Sequence, residues 1–486
     1  MTCLNRVALA LIALAMAVPA LAQVELPPSP VRPDNVNPTA PTSVSGIPID
    51  QLPPGARALG LGGAFSAVAD DATAAEANPA GQVQLLEPEF SLHLRHSDND
   101  LDFYDAEQRN PLPFTGQAPN PINNFSDSST NVSFASFVYP IDNFVVSAFY
   151  TNNADLSALA APTTFADEIF VDTYTSRQQL GGELDGYGLS VAYRINDRLS
   201  IGFTAKRNEI SLSSFDQTQI DNFRDFEFIF NQARPDISAE EFASVINDSF
   251  LIDSQIEDDD SAMSYSMGLL MKPTDKWSLA LTYRIGAEFD IVSDAVFTQS
   301  IGCVGSGQAR DVCDLGFRGI DLDPFNSTQI TSLPANVRVP DVLTFGAAWR
   351  PSDTLLFSLD INKTSYGDLA QPRSRTLGFE FPVDGTPFGD PPTTILDVEP
   401  IEDEWTINFG AEKVFFLDSD LFNLFTVRAG AFTDEDRDGT TLLDTDDTHI
   451  TAGLGLVLLD YKLQIDVAAD FSDRTDNIVL SAIYKF

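Results

Sequence analysis

Few residues in this chain have the type and spacing to do chemistry. Asp434, Asp436 and Asp438, followed by Gly439, open like a calcium loop, in which alternating oxygens converge on one hard cation. The twelfth position, where such a loop needs a bidentate Glu, is Thr445, with Asp444 one residue early. An ordinary acidic hairpin loop stays open as the alternative. His93, His96 and His449 come without a Gly-x-Ser-x-Gly elbow or an evident Ser/His pairing, and His93 and His96 are placed near the outer end of a first strand. Cys303 and Cys313 share one predicted loop, where a local disulfide is expected; with no histidine nearby they do not make a metal site. No catalytic group and no cofactor is expected.

Four cations fall on inward faces of predicted strands: Arg194, Lys206, Arg284 and Arg428. Each can hold an anionic group or pair with an inward acid, and Glu288, Asp360, Glu412 and Asp466 are the acids expected there.

The elements that must carry these residues are strands. Tyr187, Leu189, Val191, Tyr193 and Ile195 alternate with small or polar residues, and so do Trp277, Leu279, Leu281, Tyr283 and Ile285. Side chains of a strand point alternately to its two faces, so such segments are apolar on one side only. The pattern recurs about 14 times, from 88–96 to 477–486, with aromatic residues near many strand ends. Short turns such as Pro140–Asn143, Asn196–Arg198 and Pro273–Asp275 alternate with long connections near 97–130, 152–184, 211–261, 289–339, 364–402 and 432–447. Near Phe134 and Phe137 the alternation slips phase, which predicts a bulge. The reading is all-β: an antiparallel transmembrane β-barrel, apolar outside, with short periplasmic turns and long outer loops.

Both chain ends fit an exported barrel. Arg6, an apolar run from Val7 to Val18 and Ala20-Leu21-Ala22 resemble a cleaved signal peptide over 1–22, because a spanning helix needs roughly 20 apolar residues. At the other end Ile478, Leu480, Ala482, Tyr484 and Phe486 share one face of a last strand, the expected contact for barrel-assembly machinery. The formal net charge is −43, from 71 acidic and 28 basic residues, which excludes nucleic acid as an expected partner. The acids gather in loops such as Glu257–Asp260, either for solvation or for divalent-cation bridging to lipopolysaccharide.

Residues 23–50 are Pro-, Ser-, Thr- and Asn-rich and read as a disordered lead. Residues 51–87 are too small and glycine-rich for a lipid-facing strand, and they precede the barrel at 88–486. They are expected to fold back as a hatch inside the lumen, with helical turns within Ala67–Ala77 ended by Asn78-Pro79. The run Ala56-Arg57-Ala58-Leu59-Gly60-Leu61-Gly62-Gly63-Ala64-Phe65, then Asp70-Asp71-Ala72, then Asn78-Pro79-Ala80, resembles the hatch of the FadL/TodX family. Leu333–Asn336 leading to Trp349–Pro351, and Arg428–Gly430 followed by an acidic loop, extend the resemblance over most of the chain.

The resemblance implies an outer-membrane channel for long-chain fatty acids or other hydrophobic small molecules, with outer-membrane lipid and lipopolysaccharide around it. Cargo would bind in the lumen and leave by hatch movement or through a gap in the wall beside a kinked third strand. No Gly or Pro lies in 143–151 to mark that kink. Ligand-facing candidates are the four cations, for a carboxylate headgroup, and the loop residues Phe228, Phe230, Phe242 and Phe250. Ala239–Ile252 has the spacing of an amphipathic helix over the mouth, while packing of the loop on itself would use the same residues. A FadL-like barrel serving as a scaffold or assembly partner is the alternative function.

Overall fold

The computed structural model describes residues 54–104, 122–160, 163–166, 173–221, 246–303, 326–365, 403–419, 421–434, 447–472 and 475–486. The strands are β1 Glu89–Tyr104, β2 Ile122–Ile141, β3 Phe144–Ala160, β4 Thr173–Asn196, β5 Leu199–Asp221 and β6 Ile246–Thr274. β7 is Trp277–Ile285, continued by Glu288–Cys303, and β8 is Asn326–Arg338, continued by Val342–Ser352. They are followed by β9 Leu355–Thr364, β10 Glu404–Phe416, β11 Phe422–Asp434, β12 Asp447–Leu458, β13 Leu463–Phe471 and β14 Thr475–Lys485. A short strand, Thr163–Ala166, adds to the edge of β4. Each strand pairs antiparallel with its sequence neighbours, and β1 pairs with β14 from Glu89↔Lys485 to Asn99↔Thr475, closing a 14-strand barrel.

The faces follow the sequence alternation. Tyr187, Leu189, Val191, Tyr193 and Ile195 are exposed on the outer wall, while Ser190 and Ala192 between them are buried. Trp277, Trp349, Phe357 and Phe409 form successive stacked pairs across four neighbouring strands, an aromatic belt on the outer wall. Among the described residues no helix is long and apolar enough to cross a membrane; crossing here is by strands.

Several strands run further outward than the alternation predicted. β5 reaches Asp221 and β6 starts at Ile246, with Phe250 paired to Ile220 and Ile252 to Thr218. The second half of the expected helix over 239–252 is therefore strand, because 246–252 finds a ladder partner that satisfies its backbone. β7 also departs from expectation. Its inward phase inverts at Gly286-Ala287, so Phe289 is fully buried and Glu288, expected inside, is exposed. The cause is a bend opposite Pro340, held by Asp341, whose carboxylate accepts from Gly286 N–H at 2.9 Å and Tyr283 O–H at 2.7 Å.

The predicted phase slip in β2 is a bulge. His93 pairs with Phe134 and Leu94 with Val132, leaving Ser133 as the extra residue.

Candidate functional site

Residues 54–86 form an inner segment. Helix α1 (Ala56–Gly60) and the single-turn α2 (Ala74–Ala77) are followed by a 3₁₀ turn, Pro79–Gln84. Of the one or two helical turns expected within Ala67–Ala77, one forms, as α2, and it ends where expected: Asn78 is extended and its side chain caps Ala80 N–H at 3.1 Å. Almost every residue of the segment is buried, against inward side chains from all sides of the cylinder.

On one side, Asp360 accepts from the N–H groups of Phe65 at 3.0 Å and Ser66 at 2.9 Å. Asn408 donates to the Gly62 carbonyl at 2.7 Å, and Gly63 N–H turns back to Ala58 at 2.9 Å. On another side, Ser200 donates to the Ala80 carbonyl at 2.9 Å and Thr204 to Ala75 at 2.8 Å, beside Pro79. Asn78 itself donates to the Ser66 carbonyl at 2.9 Å. Gln82 takes Ser147 O–H at 2.7 Å, and Ala56 N–H reaches Ser481 at 2.8 Å.

Charge ties the segment down as well. Arg57 bonds Asp70 and lies 3.0 Å from Glu412; Arg350 holds the other Asp70 oxygen at 3.1 Å. Burial works against the Arg57 charge, but Asp70 and Glu412 outweigh it and raise its affinity for the proton. Asp71 bonds Thr73 within the segment, and burial pushes its carboxyl up. Glu76 meets Lys206 at 2.7 Å and Arg284 at 3.8 Å. Burial pushes Glu76 up too, yet these two cations hold it below the ordinary glutamate value.

All four inward cations are engaged by the chain itself. Lys206 and Arg284 meet Glu76, Arg194 bonds the Val83 carbonyl, and Arg428 is held by Glu412 at 2.7 Å and Asp466 at 2.6 Å. Of the four acids expected inside, Asp360, Glu412 and Asp466 are buried there and only Glu288 is not.

Two features were not read from the residues themselves, though the resemblance implied a gap beside the third strand. The first is an apolar cluster on the outer side of the Glu76–Lys206 pair: Ala154, Leu184, Ile210, Leu212, Ala287 and Phe289. Ile210 and Leu212 follow Lys206 and Asn208 on the inward face of β5, so one face changes from polar to apolar within a few residues. The signal was legible for Ile210 and Leu212, whose alternation continues past the expected strand end. Phe289 depended on the β7 phase inversion.

The second is a lapse in the wall between β2 and β3. Pairing holds from Ile141↔Phe144 to Phe134↔Thr151 and resumes at Ser126↔Leu159, leaving 127–133 and 152–158 unpaired with each other. β3 carries its own bulge there, between Asn152↔Asp185 and Ala154↔Leu184. Thr151, Asn152, Asn153 and Ala154 are buried in succession, which a regular strand cannot achieve, so the chain turns inward at this point. The kink thus lies at Asn152-Asn153, just past the 143–151 stretch. Asn replaces Gly or Pro because its amide bonds the freed backbone, as Asn152 does to the Ala154 carbonyl at 3.2 Å. Arg95 donates to Asn152 at 3.1 Å, and Asn131 bridges the lapse to Asn152 at 3.2 Å and Asp155 at 3.0 Å. Ala154 belongs both to the edge of this lapse and to the apolar cluster.

His93 is buried inside the barrel, not near the outer end of its strand, since β1 extends to Tyr104. Its Nδ1 lies 2.6 Å from Ser481 Oγ, a pairing the sequence did not reveal. Among the described residues no acid is bonded to the ring, and Ser481 is already the acceptor for Ala56 N–H. His449 pairs with Asp470 at 3.0 Å and stacks on Phe432. Among the described residues no group of three His, Cys, Asp or Glu could hold a metal ion. Phe228, Phe230, Phe242, Cys313, Asp436 and Asp438 lie outside the described residues, as do the side chains of Phe250, Cys303 and Asp434, which sit on β6, β7 and β11.

Residues 49–479 match the family described as outer membrane protein transport protein (OMPP1/FadL/TodX). Among solved structures the chain is similar to a Pseudomonas aeruginosa FadL homologue, at 17% identity over 88% of this chain and 98% of that one, with a TM-score of 0.54. It is also similar to the Ralstonia pickettii toluene transporter TbuX, at 14% identity over 90% of this chain and 99% of that one, with a TM-score of 0.52. No curated protein matches. The chain therefore belongs to the OMPP1/FadL/TodX family, channels of the bacterial outer membrane for the uptake of hydrophobic compounds.

Proposed function

We propose that the cargo is an uncharged apolar compound that settles against the Leu184–Ile210–Leu212–Phe289 cluster and leaves sideways between β2 and β3, with residues 54–86 acting as a hatch across the axial path. The observation that carries this is the contact of the apolar cluster with the edge of the lapse, through Ala154. Each buried methylene of a cargo contributes about 0.8 kcal/mol, enough for reversible binding without any charged partner. Lys206 and Arg284 both turn to Glu76, which balances one of their two charges, so a carboxylate cargo would have to compete with Glu76 for them. A barrel this wide lies between small barrels filled by their own side chains and open porins, so an axial stopper has a purpose. The similar Ralstonia pickettii protein is a toluene transporter, which agrees with a hydrocarbon cargo.

The test is uptake of radiolabelled toluene and of a long-chain carboxylate by cells carrying the chain or its Leu212→Asp variant. Toluene accumulation that the substitution abolishes is the expected result. Uptake of the carboxylate alone, or of neither, would overturn the reading.

A further inference from the structure

The wall lapse and the inner segment meet at one atom. Lys206 Nζ lies 2.7 Å from Glu76 Oε1 on α2 and 3.2 Å from Asn153 Oδ1, the bulge residue of β3. Lys206 sits on β5, so reaching β3 means crossing β4, two strand spacings or about 9.5 Å. Gly186 on β4 makes the crossing: a Cβ there would stand 2.7 Å from Lys206 Cδ. The lysine is 6% exposed, and its ammonium, with three donors, donates to two identified acceptors on different bodies.

We infer that Lys206 is a positioning residue that couples the two, so that the β3 kink and the α2 end of the inner segment are held or released together. The inference rests on the proposed lateral route, since only then does the coupling serve transport. The physical reason is satisfaction of buried polar groups. If α2 withdraws, Lys206 loses its carboxylate and its remaining hold is Asn153. If the kink swings outward, Asn153 takes one acceptor away and the ammonium is left to Glu76 alone. Either movement removes one of the two acceptors of the shared ammonium and so changes how strongly it is held by the other, which is the requirement for a coupling between sites. Arg284 at 3.8 Å from Glu76 is a weaker second tie on the segment side and does not reach β3 by any described bond.

The experiment is hydrogen–deuterium exchange with mass spectrometry on the full chain in lipid vesicles, comparing peptides from 70–80 with those from 150–156. Asn153→Ala alters only the wall, and Glu76→Gln alters only the inner segment. Each is expected to speed exchange about tenfold on the far side as well as the near one. The double variant is expected to do no more than either alone, because both remove the same link. Lys206→Arg should restore protection where Lys206→Met loses it on both sides. Heat-modifiable migration on a gel verifies the barrel in every variant, and the first two variants suffice if Lys206→Met does not assemble. Exchange confined to the substituted side, or additive effects, would overturn the coupling. Because no cargo enters this measurement, its failure is separable from failure of the uptake test.

Discussion

Gly202 on β5 stands backbone to backbone against Pro79 of the inner segment: a Cβ on the glycine would lie 2.3 Å from the Pro79 carbonyl carbon and 2.4 Å from Ala80 N. Both atoms belong to main chain, so no rotamer change relieves the overlap. Gly202→Val is therefore expected to dislodge the 3₁₀ turn while leaving the barrel ladder intact. Planar-bilayer recordings should show a higher basal conductance than the parent chain, with normal heat-modifiable migration. An unchanged closed conductance would contradict the role given to residues 54–86.

Glu412 is the shared partner of Arg57 and Arg428, at 3.0 and 2.7 Å, and all three are largely buried. Removing one member of a buried ionic network leaves an uncompensated charge and costs roughly 3–5 kcal/mol. Glu412→Ala should thus lower the urea midpoint of the folded barrel clearly. The triple change Glu412→Leu, Arg428→Met and Asp466→Asn should recover part of the loss, because Arg428 is removed together with both acids that hold it. Equal midpoints for parent and single variant would show that the network is not stabilising.

Glu76 supplies a pH dependence whose sign is fixed. Its folded value is lowered, by Lys206 and Arg284 against burial, so the stabilisation is complete above the ordinary glutamate value of 4.5 and is lost as pH falls through the folded value. Asp71 runs the other way: burial raises it, so protonation relieves a cost as the medium is acidified. Exchange protection of 74–78, corrected for intrinsic rate, should fall below pH 4.5 in the parent, and that step should be absent in Glu76→Gln. A step that persists in the variant would assign it to another carboxyl.

Thr130 and Asp155 occupy matching register positions across the lapse, where β2 and β3 are unpaired. Cysteines at both, joined by a short bifunctional thiol reagent, should stop lateral exit and so abolish toluene uptake, while a reagent with a reducible spacer should allow recovery after reduction. Uptake unaffected by the tether would place the exit elsewhere.

Much of the wall was legible along the chain. Residues such as Leu189, Val191 and Tyr193 needed only a period of two and an apolar solvent to declare their faces, and a strand ladder between sequence neighbours then closes the cylinder. The Ala/Gly-rich run at 55–81 was legible because small residues are the ones that allow main chain to approach main chain, as Gly202 and Pro79 do. The Ser133 bulge left its mark as a slipped phase.

What the tertiary structure alone decided are relations between distant residues. Phe289 faces inward only because β7 bends opposite Pro340 and Asp341, and that bend reverses the faces of Ala287, Glu288 and Phe289. The kink at Asn152-Asn153 has only a weak local signature, since asparagine is depleted in strands but does not by itself fix a bulge, and the choice falls to its partners Arg95, Asn131 and Lys206. Alternation is a property of neighbours along the chain, whereas buried polar pairing is settled only when closure of the barrel brings residues far apart in sequence within hydrogen-bond reach.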